Sequence, residues 1–419
     1  VTEGSKNNHR WAIVLVTCLF FLWGFALNLN PILIPHLKKA CRLSDFQSAW
    51  IDSASYIAYF LFAIPAGRFM TRYGYKGGIL VGLLLFAVGS FLFYPAAETR
   101  VFGFFLGALF IIAGGLTFLE TAANPYIMVL GEPSQSVARL NFAQSFNGLA
   151  ATAAPLIGSV FILSGKLLTP EQESAMSPEQ VEKYLDHEAA SVQLPFLIIG
   201  GAVLLVAAFL WRTHLPEIHA EKEGGDNDRS LLREKNLVLG VITQFFYVGA
   251  QVCISSFFIR FAYEVGGIQE KAAAVLLSAA LFGFMIGRFV GTLLMKLISP
   301  PKLLAIYAVI NFALLLSAVF LDGTFSVYAL VAVEFFLSII FPTIFALSVR
   351  NLGAKTKEGS SLVIMSIVGG AVFPAIMGKL SDMTNIQTAY LVPAACFPIV
   401  FYFCLQNMRA EKVVITSTH

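Results

Sequence analysis

The chain is a succession of long apolar stretches. Residues 77–97 and 101–119 contain no Asp, Glu, Lys or Arg, and each can carry a helix through the roughly 30 Å hydrocarbon core of a bilayer. Twelve spans are predicted, at 11–37, 47–70, 76–97, 101–130, 136–165, 191–212, 236–263, 271–298, 301–321, 325–350, 358–381 and 386–408. They are continuous apolar blocks without period-two alternation, which excludes a membrane β-barrel. Only 13% of the residues are charged and mean hydropathy is +0.76, against about 25% charged residues in a soluble domain. Such a chain cannot cover a water-facing surface. A cytosolic enzyme, a nucleic-acid binder and a disordered polymer are excluded, and the expectation is an all-α membrane protein with the lipid bilayer as its partner. The net charge of +3 implies no polyanion. The five cysteines have no disulfide or metal-ligand spacing. The first apolar stretch is too long for a cleaved leader and lacks a small-residue cleavage site.

Basic residues fix the expected orientation. An even number of spans places both termini on one side, and Lys6, Arg10, Arg72, Lys76, Arg233, Lys235, Lys355 and Lys357 all fall on that side. By the positive-inside rule both termini are cytoplasmic, in the plasma or inner membrane. Residues 213–235 are a mixed-charge cytoplasmic linker, and 166–190 an acidic outer segment. Within the latter, Ser177-Pro178-Glu179-Gln180 reads as a capped helix start, with Ser capping, Pro at the first position and Gln closing the box.

The sequence also repeats. Phe20-Phe21-Leu22-Trp23-Gly24 resembles Phe245-Phe246-Tyr247-Val248-Gly249, and Gly67-Arg68-Phe69 resembles Gly287-Arg288-Phe289, at an offset of about 220–225 residues. Two six-helix halves, 1–212 and 236–419, joined by the 213–235 linker are the pattern of a carrier built from repeats, with its site near the midplane between them.

Polar residues inside spans point to the work done there, because a charged side chain costs about 2.5–3.5 kcal/mol at a helix centre on insertion scales. Glu120, deep in the fourth span, is the leading candidate for taking up and releasing a proton. Asp52 begins the second span, where it can equally act as a helix-start residue. Glu334, in the tenth span, faces a cavity or pairs with a basic residue. Asn28 and Asn30 on the first span, Gln144 and Asn147 on the fifth, and Gln244 and Gln251 on the seventh are candidates for binding sugar hydroxyls, since amides both donate and accept. Each of the last two pairs shares a helix face. Trp23, Phe146 and Tyr247 offer aromatic faces to a sugar ring. Any single amide can instead hold helices together. No catalytic constellation, phosphate loop or metal-ligand set is found, so neither an enzyme nor a cofactor is expected.

These residues resemble the fucose/galactose/glucose–proton symporter family of the major facilitator superfamily, from Trp11 to Asn407. The matching strings are Phe20-Phe21-Leu22-Trp23 with Asn28-Leu29-Asn30, Leu119-Glu120-Thr121-Ala122-Ala123-Asn124-Pro125, Arg139-Leu140-Asn141 with Ala143-Gln144-Ser145-Phe146-Asn147, Tyr247-Val248-Gly249-Ala250-Gln251 and Pro342-Thr343-Ile344-Phe345. The resemblance implies a twelve-helix carrier that imports L-fucose, glucose or galactose with a proton, using Glu120 for both proton and sugar, and needing no more than a monomer. The family has Asp after the Asn that matches Asn30, and here Pro31 stands in its place. Asp52, in the outer part of the adjacent span, is read as the relocated carboxylate. Sodium coupling, uncoupled hexose transport and export of a drug or metabolite remain alternatives at this stage.

Overall fold

The computed structural model describes residues 3–29, 33, 36–38, 40–43, 45–161, 176–213, 215 and 230–417. Helices account for nearly all of them. α1 is Glu3–Leu27, α2 Asp45–Thr99, α3 Phe102–Val129, α4 Ser136–Phe161, α5 Pro178–Ala190 and α6 Gln193–Arg212. After the linker come α7 Lys235–Glu264, α8 Glu270–Leu294, α9 Pro300–Phe320, α10 Thr324–Leu337, α11 Ile340–Val349, α12 Thr356–Met365, α13 Gly369–Met383, α14 Ile386–Ala389 and α15 Leu391–Ser417. Nine helices among the described residues are long and apolar enough to cross a membrane. Many of their large apolar side chains, such as Leu205, Trp211, Phe320 and Phe325, point outward, as a lipid-facing surface requires.

Some predicted boundaries merge and others split, for reasons written in single residues. α2 covers two predicted spans, and Gly74 divides it with a non-helical φ of 75° that an L side chain rarely adopts. The predicted span 325–350 is broken between α10 and α11. Pro342 causes this break, because it has no N–H to give the carbonyl of Ser338 one turn back. The capping box at Ser177 forms as the sequence requires. The Ser177 amide donates to Gln180 Oε1 at 2.9 Å and the Gln180 amide to Ser177 Oγ at 3.3 Å. Helix α5 is docked on its neighbours. Arg100 pairs with Glu182 and, at 2.9 Å, with Asp186, and His36 lies 3.8 Å from Glu188 with both side chains buried. The linker lies mostly outside the described residues.

Exposed helix ends are closed by basic side chains from neighbouring segments, which take up otherwise orphaned carbonyls. Lys76 Nζ donates to the carbonyls of Trp211 and Thr213 at 2.8 Å each. Arg139 donates to the carbonyls of Ile127 at 2.8 Å, Glu132 at 3.2 Å and Met128. These two residues therefore hold α6 and α3 in place in addition to any effect on topology.

The helices before and after the linker meet along two seams, α2 against α12 and α13, and α4 against α8 and α11. At the first, a Cβ on Gly67 would sit 2.6 Å from Ser361 Oγ, and Lys357 Nζ lies 4.7 Å from the centre of the Tyr75 ring. At the second, Asn141 Nδ2 donates to Thr343 Oγ1 at 3.2 Å.

Inside the first group, α2 and α3 pack backbone to backbone. A Cβ on Gly115 would meet the Gly82 carbonyl and the Phe86 amide at 2.6 Å each. Small residues at such crossings let membrane helices approach closely. Gly115→Val is expected to destabilise the fold by about 1–3 kcal/mol through overpacking, read as a lowered unfolding midpoint in detergent. Gly107→Ala, where a Cβ meets nothing within 4 Å, should leave that midpoint unchanged.

Candidate functional site

Polar side chains from four helices converge on Glu120 of α3. Glu120 is 5% exposed. Tyr59, from α2, donates its hydroxyl to Glu120 Oε1 at 2.6 Å. On α4, Gln144 Nε2 donates to Asn124 Oδ1, 3.2 Å away and one turn beyond Glu120 on α3. The fourth contributor is Arg288 of α8, which is 5% exposed. Its Nη1 donates to the Gln144 carbonyl, to Gln144 Oε1 at 3.3 Å and to Asn147 Oδ1 at 3.5 Å, and its Nε to the Ser338 carbonyl at 3.2 Å. The guanidinium also lies over the Phe284 ring, 4.7 Å from its centre, and its charge acts on Glu120.

The helix break explains this placement. Pro342 leaves the Ser338 carbonyl without its helical donor, and Arg288 supplies one. One residue earlier, the Leu337 carbonyl accepts from the Tyr247 hydroxyl at 2.9 Å. Gly287 lets α8 come this close, since a Cβ there would lie 2.5 Å from the Phe335 carbonyl and 2.6 Å from Ser338 Oγ. The Gly-Arg-Phe string shared by α2 and α8 thus has two outcomes. Arg68 is exposed, whereas Arg288 is buried between the two groups of helices.

Around this centre buried polar atoms have hydrogen-bonding capacity left over. Asn124 Nδ2 and Ser338 Oγ have no partner and are out of contact with solvent, and on α7 the same holds for both amide atoms of Gln244. Unpartnered buried amides are costly in a folded protein and mark sites where another polar molecule can bind.

The other predicted site residues are distributed as follows. Trp23 is buried against Phe20, with ring centres 4.1 Å apart. Its neighbour Gly24 lies against Asn147, whose Nδ2 would be 2.6 Å from a Cβ at that position. Asn28 donates to the Gly24 carbonyl at 2.7 Å on its own helix. Gln251 is half-buried on α7. Glu334 stands apart from Glu120. It is 1% exposed and accepts from Ser255 Oγ at 2.7 Å. Tyr247 is fully buried, as Trp23 is, with its hydroxyl committed to the Leu337 carbonyl. Asn30 and the side chain of Asp52 lie outside the described residues.

Two contributors were missed from the sequence. Tyr59 gives no periodic or motif cue. Arg288 does, because it is a lone cation inside a predicted span and the cost that singled out Glu120 applies equally to it.

A buried carboxyl group, a buried guanidinium and a broken helix at the junction of two helix groups are features of an alternating-access carrier, and comparison with known proteins agrees. The model of the Major Facilitator Superfamily matches residues 14–374. The chain belongs to the fucose/galactose–proton symporter family of that superfamily. It is a multi-pass inner-membrane transporter. It is 43% identical over 413 residues to the L-fucose-proton symporter of Escherichia coli K12, covering 96% of this chain and 94% of that one. To the glucose/galactose transporter of Brucella abortus biovar 1 it is 38% identical over 410 residues, covering 97% and 96%. The crystal structure of the transporter FucP in the outward conformation superposes with a TM-score of 0.89 at 42% identity, covering 96% of this chain and 99% of that one.

Among the described residues, Tyr59 is the hydroxyl that donates to Glu120. Tyr59→Phe should cost about 1–3 kcal/mol through the unpaired acceptor. A lowered thermal midpoint with unchanged helicity is the expected measurement, and a midpoint identical to wild type would show that Glu120 is satisfied from elsewhere.

Proposed function

We propose that the chain is a proton-coupled importer of L-fucose or a hexose such as glucose or galactose, working by alternating access between two six-helix halves. The observation that carries this reading is the Glu120 centre. A carboxyl group sits where one proton changes its charge, next to amides with unspent hydrogen bonds, at the junction that must rearrange for transport. The relatives named as fucose and glucose/galactose carriers support the substrate class.

The helices and their breaks support a twelve-span plan. Helix α2 holds two spans divided at Gly74, and the pairs α10–α11 and α12–α13 each form one span around a break. The halves are 1–212 and 236–419, with 213–235 between them and both termini cytoplasmic. In that orientation Gly67 against Ser361, Lys357 over Tyr75, and Asn141 to Thr343 lie toward the cytoplasm. Contacts there hold the inner ends of the seams together and fit a carrier open to the outside.

The cycle begins with a proton from outside reaching Glu120, by way of Asp52. Sugar then binds amides on α1, α4 and α7, namely Asn28, Asn30, Gln144, Asn147, Gln244 and Gln251, beside Trp23, with Glu120 contributing a hydrogen bond. Asn28 takes part after exchanging its bond to Gly24. Glu334 serves as a second proton site in the C-terminal half. An ionised Glu120 resists being closed off from water, since charge is far costlier than a neutral carboxyl in a low-dielectric site. Protonation removes that cost, the halves rock, and sugar and proton leave inward. Neither proton nor sugar crosses readily without the other, which is coupling, and the emptied carrier returns outward.

Proteoliposomes with a weakly buffered exterior should show alkalinisation on addition of the transported sugar. Glu120→Gln should keep sugar exchange while uphill accumulation falls at least roughly tenfold, the factor set by about 1.4 kcal/mol. Asp52→Asn should lose accumulation in the same way. Full proton-driven accumulation in Asp52→Asn would exclude it as the replacement for the Asp displaced by Pro31, and no pH change with any of the three sugars would exclude proton symport.

A further inference from the structure

Arg288 does more than balance charge. It is the residue through which the second half grips the first at the centre of the molecule. Its donors reach the Ser338 carbonyl at the α10–α11 break, and the Gln144 carbonyl, Gln144 Oε1 and Asn147 Oδ1 on α4. Three of these four acceptors belong to the first half, and two are the side-chain oxygens of the amides assigned to sugar. Next to this seam the halves are joined by weaker means, such as Thr152 Oγ1 with Met285 Sδ at 3.8 Å. A charged donor forms stronger bonds than a neutral one, and in hydrocarbon the guanidinium cannot give up its acceptors to water. It changes acceptors only if other polar groups are offered.

We infer that Arg288 is a positioning latch between the halves, which the transported sugar releases by competing for the Gln144 and Asn147 side-chain oxygens. This rests on the sugar-transport reading above and deepens it. A sugar hydroxyl that donates to either amide oxygen takes an acceptor from Arg288, and the same sugar's ring and hydroxyl oxygens accept from the guanidinium in return. The number of hydrogen bonds is kept, but of the bonds that ran from one half directly to the other only the one to the Gln144 backbone carbonyl is left, and the latch is loosened. The ion that remains is next to Glu120, on which its charge acts. Sugar occupancy and the loosening of α8 from α4 become one event, so in this conformation a carrier without sugar keeps these two helices fastened.

The latch predicts an effect that ordinary loss of structure does not. If sugar binds in competition with a pre-existing contact, its apparent affinity is reduced by the fraction of molecules latched. Removing the latch then tightens sugar binding while transport becomes poorly coupled. Simple damage to the site would weaken both.

The full-length wild-type protein and the variants Arg288→Gln and Arg288→Lys would be compared in lipid nanodiscs. Hydrogen exchange over residues 137–150 and 335–345 should be faster in Arg288→Gln, and intermediate in Arg288→Lys, which keeps the charge without the planar fork of donors. Exchange over 105–119 in α3 should be unchanged. Calorimetry with L-fucose, D-galactose and D-glucose should give a dissociation constant lowered by about tenfold for the transported sugar in Arg288→Gln, with uphill uptake in proteoliposomes reduced by at least the same factor. Unchanged exchange in folded Arg288→Gln overturns the latch. Faster exchange with equal or weaker sugar binding overturns release by competition. A wild-type protein that binds none of the three sugars overturns the sugar reading, and the exchange comparison still decides whether Arg288 fastens the halves. If Arg288→Gln does not fold, Asn147→Ala, which removes one acceptor, should speed exchange over 137–150 to a smaller degree, and an unchanged rate there overturns the latch.

Discussion

A guanidinium ion held between helices away from water must have every strong acceptor supplied by the protein. Arg288 is 5% exposed, and the structure around it is organised to meet that demand. Pro342 breaks a helix and frees the Ser338 carbonyl. Gly287 removes the side chain that would keep α8 from this carbonyl. Helix α4 turns Gln144 and Asn147 toward the same point. None of these features would be stable alone. A proline inside a span, an unpaired carbonyl and a buried cation each cost energy in hydrocarbon. Together they cancel much of one another's cost, and the cation holds two groups of helices together as a consequence.

Glu120 completes the electrostatics. Its Oε1 accepts from Tyr59, and the charge of Arg288 acts on it from the other half. The carboxyl group is therefore poised between a state in which it answers the guanidinium and a state in which it is neutral. A proton moves it from one to the other. Glu334 has a hydroxyl as its recorded partner and stands apart from this balance. The two buried carboxyl groups are not equivalent, since the Arg288 charge acts on Glu120 whereas Glu334 acts on Tyr247.

How much of this was legible in the sequence depended on the range of the interaction. Apolar runs located the helices, because hydrophobic matching to a bilayer is a property of each segment alone. The capping box at Ser177 was legible for the same reason, as its partners are three residues apart. Glu120 stood out because a carboxylate in an apolar run is costly whatever its neighbours. Tyr59 could not be found this way. Its value lies in a hydroxyl meeting a residue 61 positions away, and an aromatic in a span is otherwise unremarkable. Tyr247 illustrates the same limit. Its residue type suits stacking, but its bond to the Leu337 carbonyl, 90 positions away, could not be read from the sequence. Pro342 was visible, and so was Arg288. What the sequence could not show was that the carbonyl freed by one is the acceptor of the other.

The pairing of a broken helix with a buried cation also bears on the missing first-helix carboxylate. An acidic residue that serves only to receive a proton from outside need not occupy one fixed position, because water can carry the proton across a short distance in an open vestibule. It must only lie on the path. A carboxyl group that couples the proton to movement has no such freedom. It has to sit within electrostatic reach of a charge on the other half, and the backbone geometry at Ser338 fixes where that charge is. Under the proposed function, a shift of the outer carboxylate from the position of Pro31 to Asp52 is the kind of change such a path tolerates. Loss of Glu120 is not, since among the described residues no other ionisable side chain both bonds to Tyr59 and interacts with the Arg288 charge. The requirement for a specific carboxylate is set by the guanidinium that faces it.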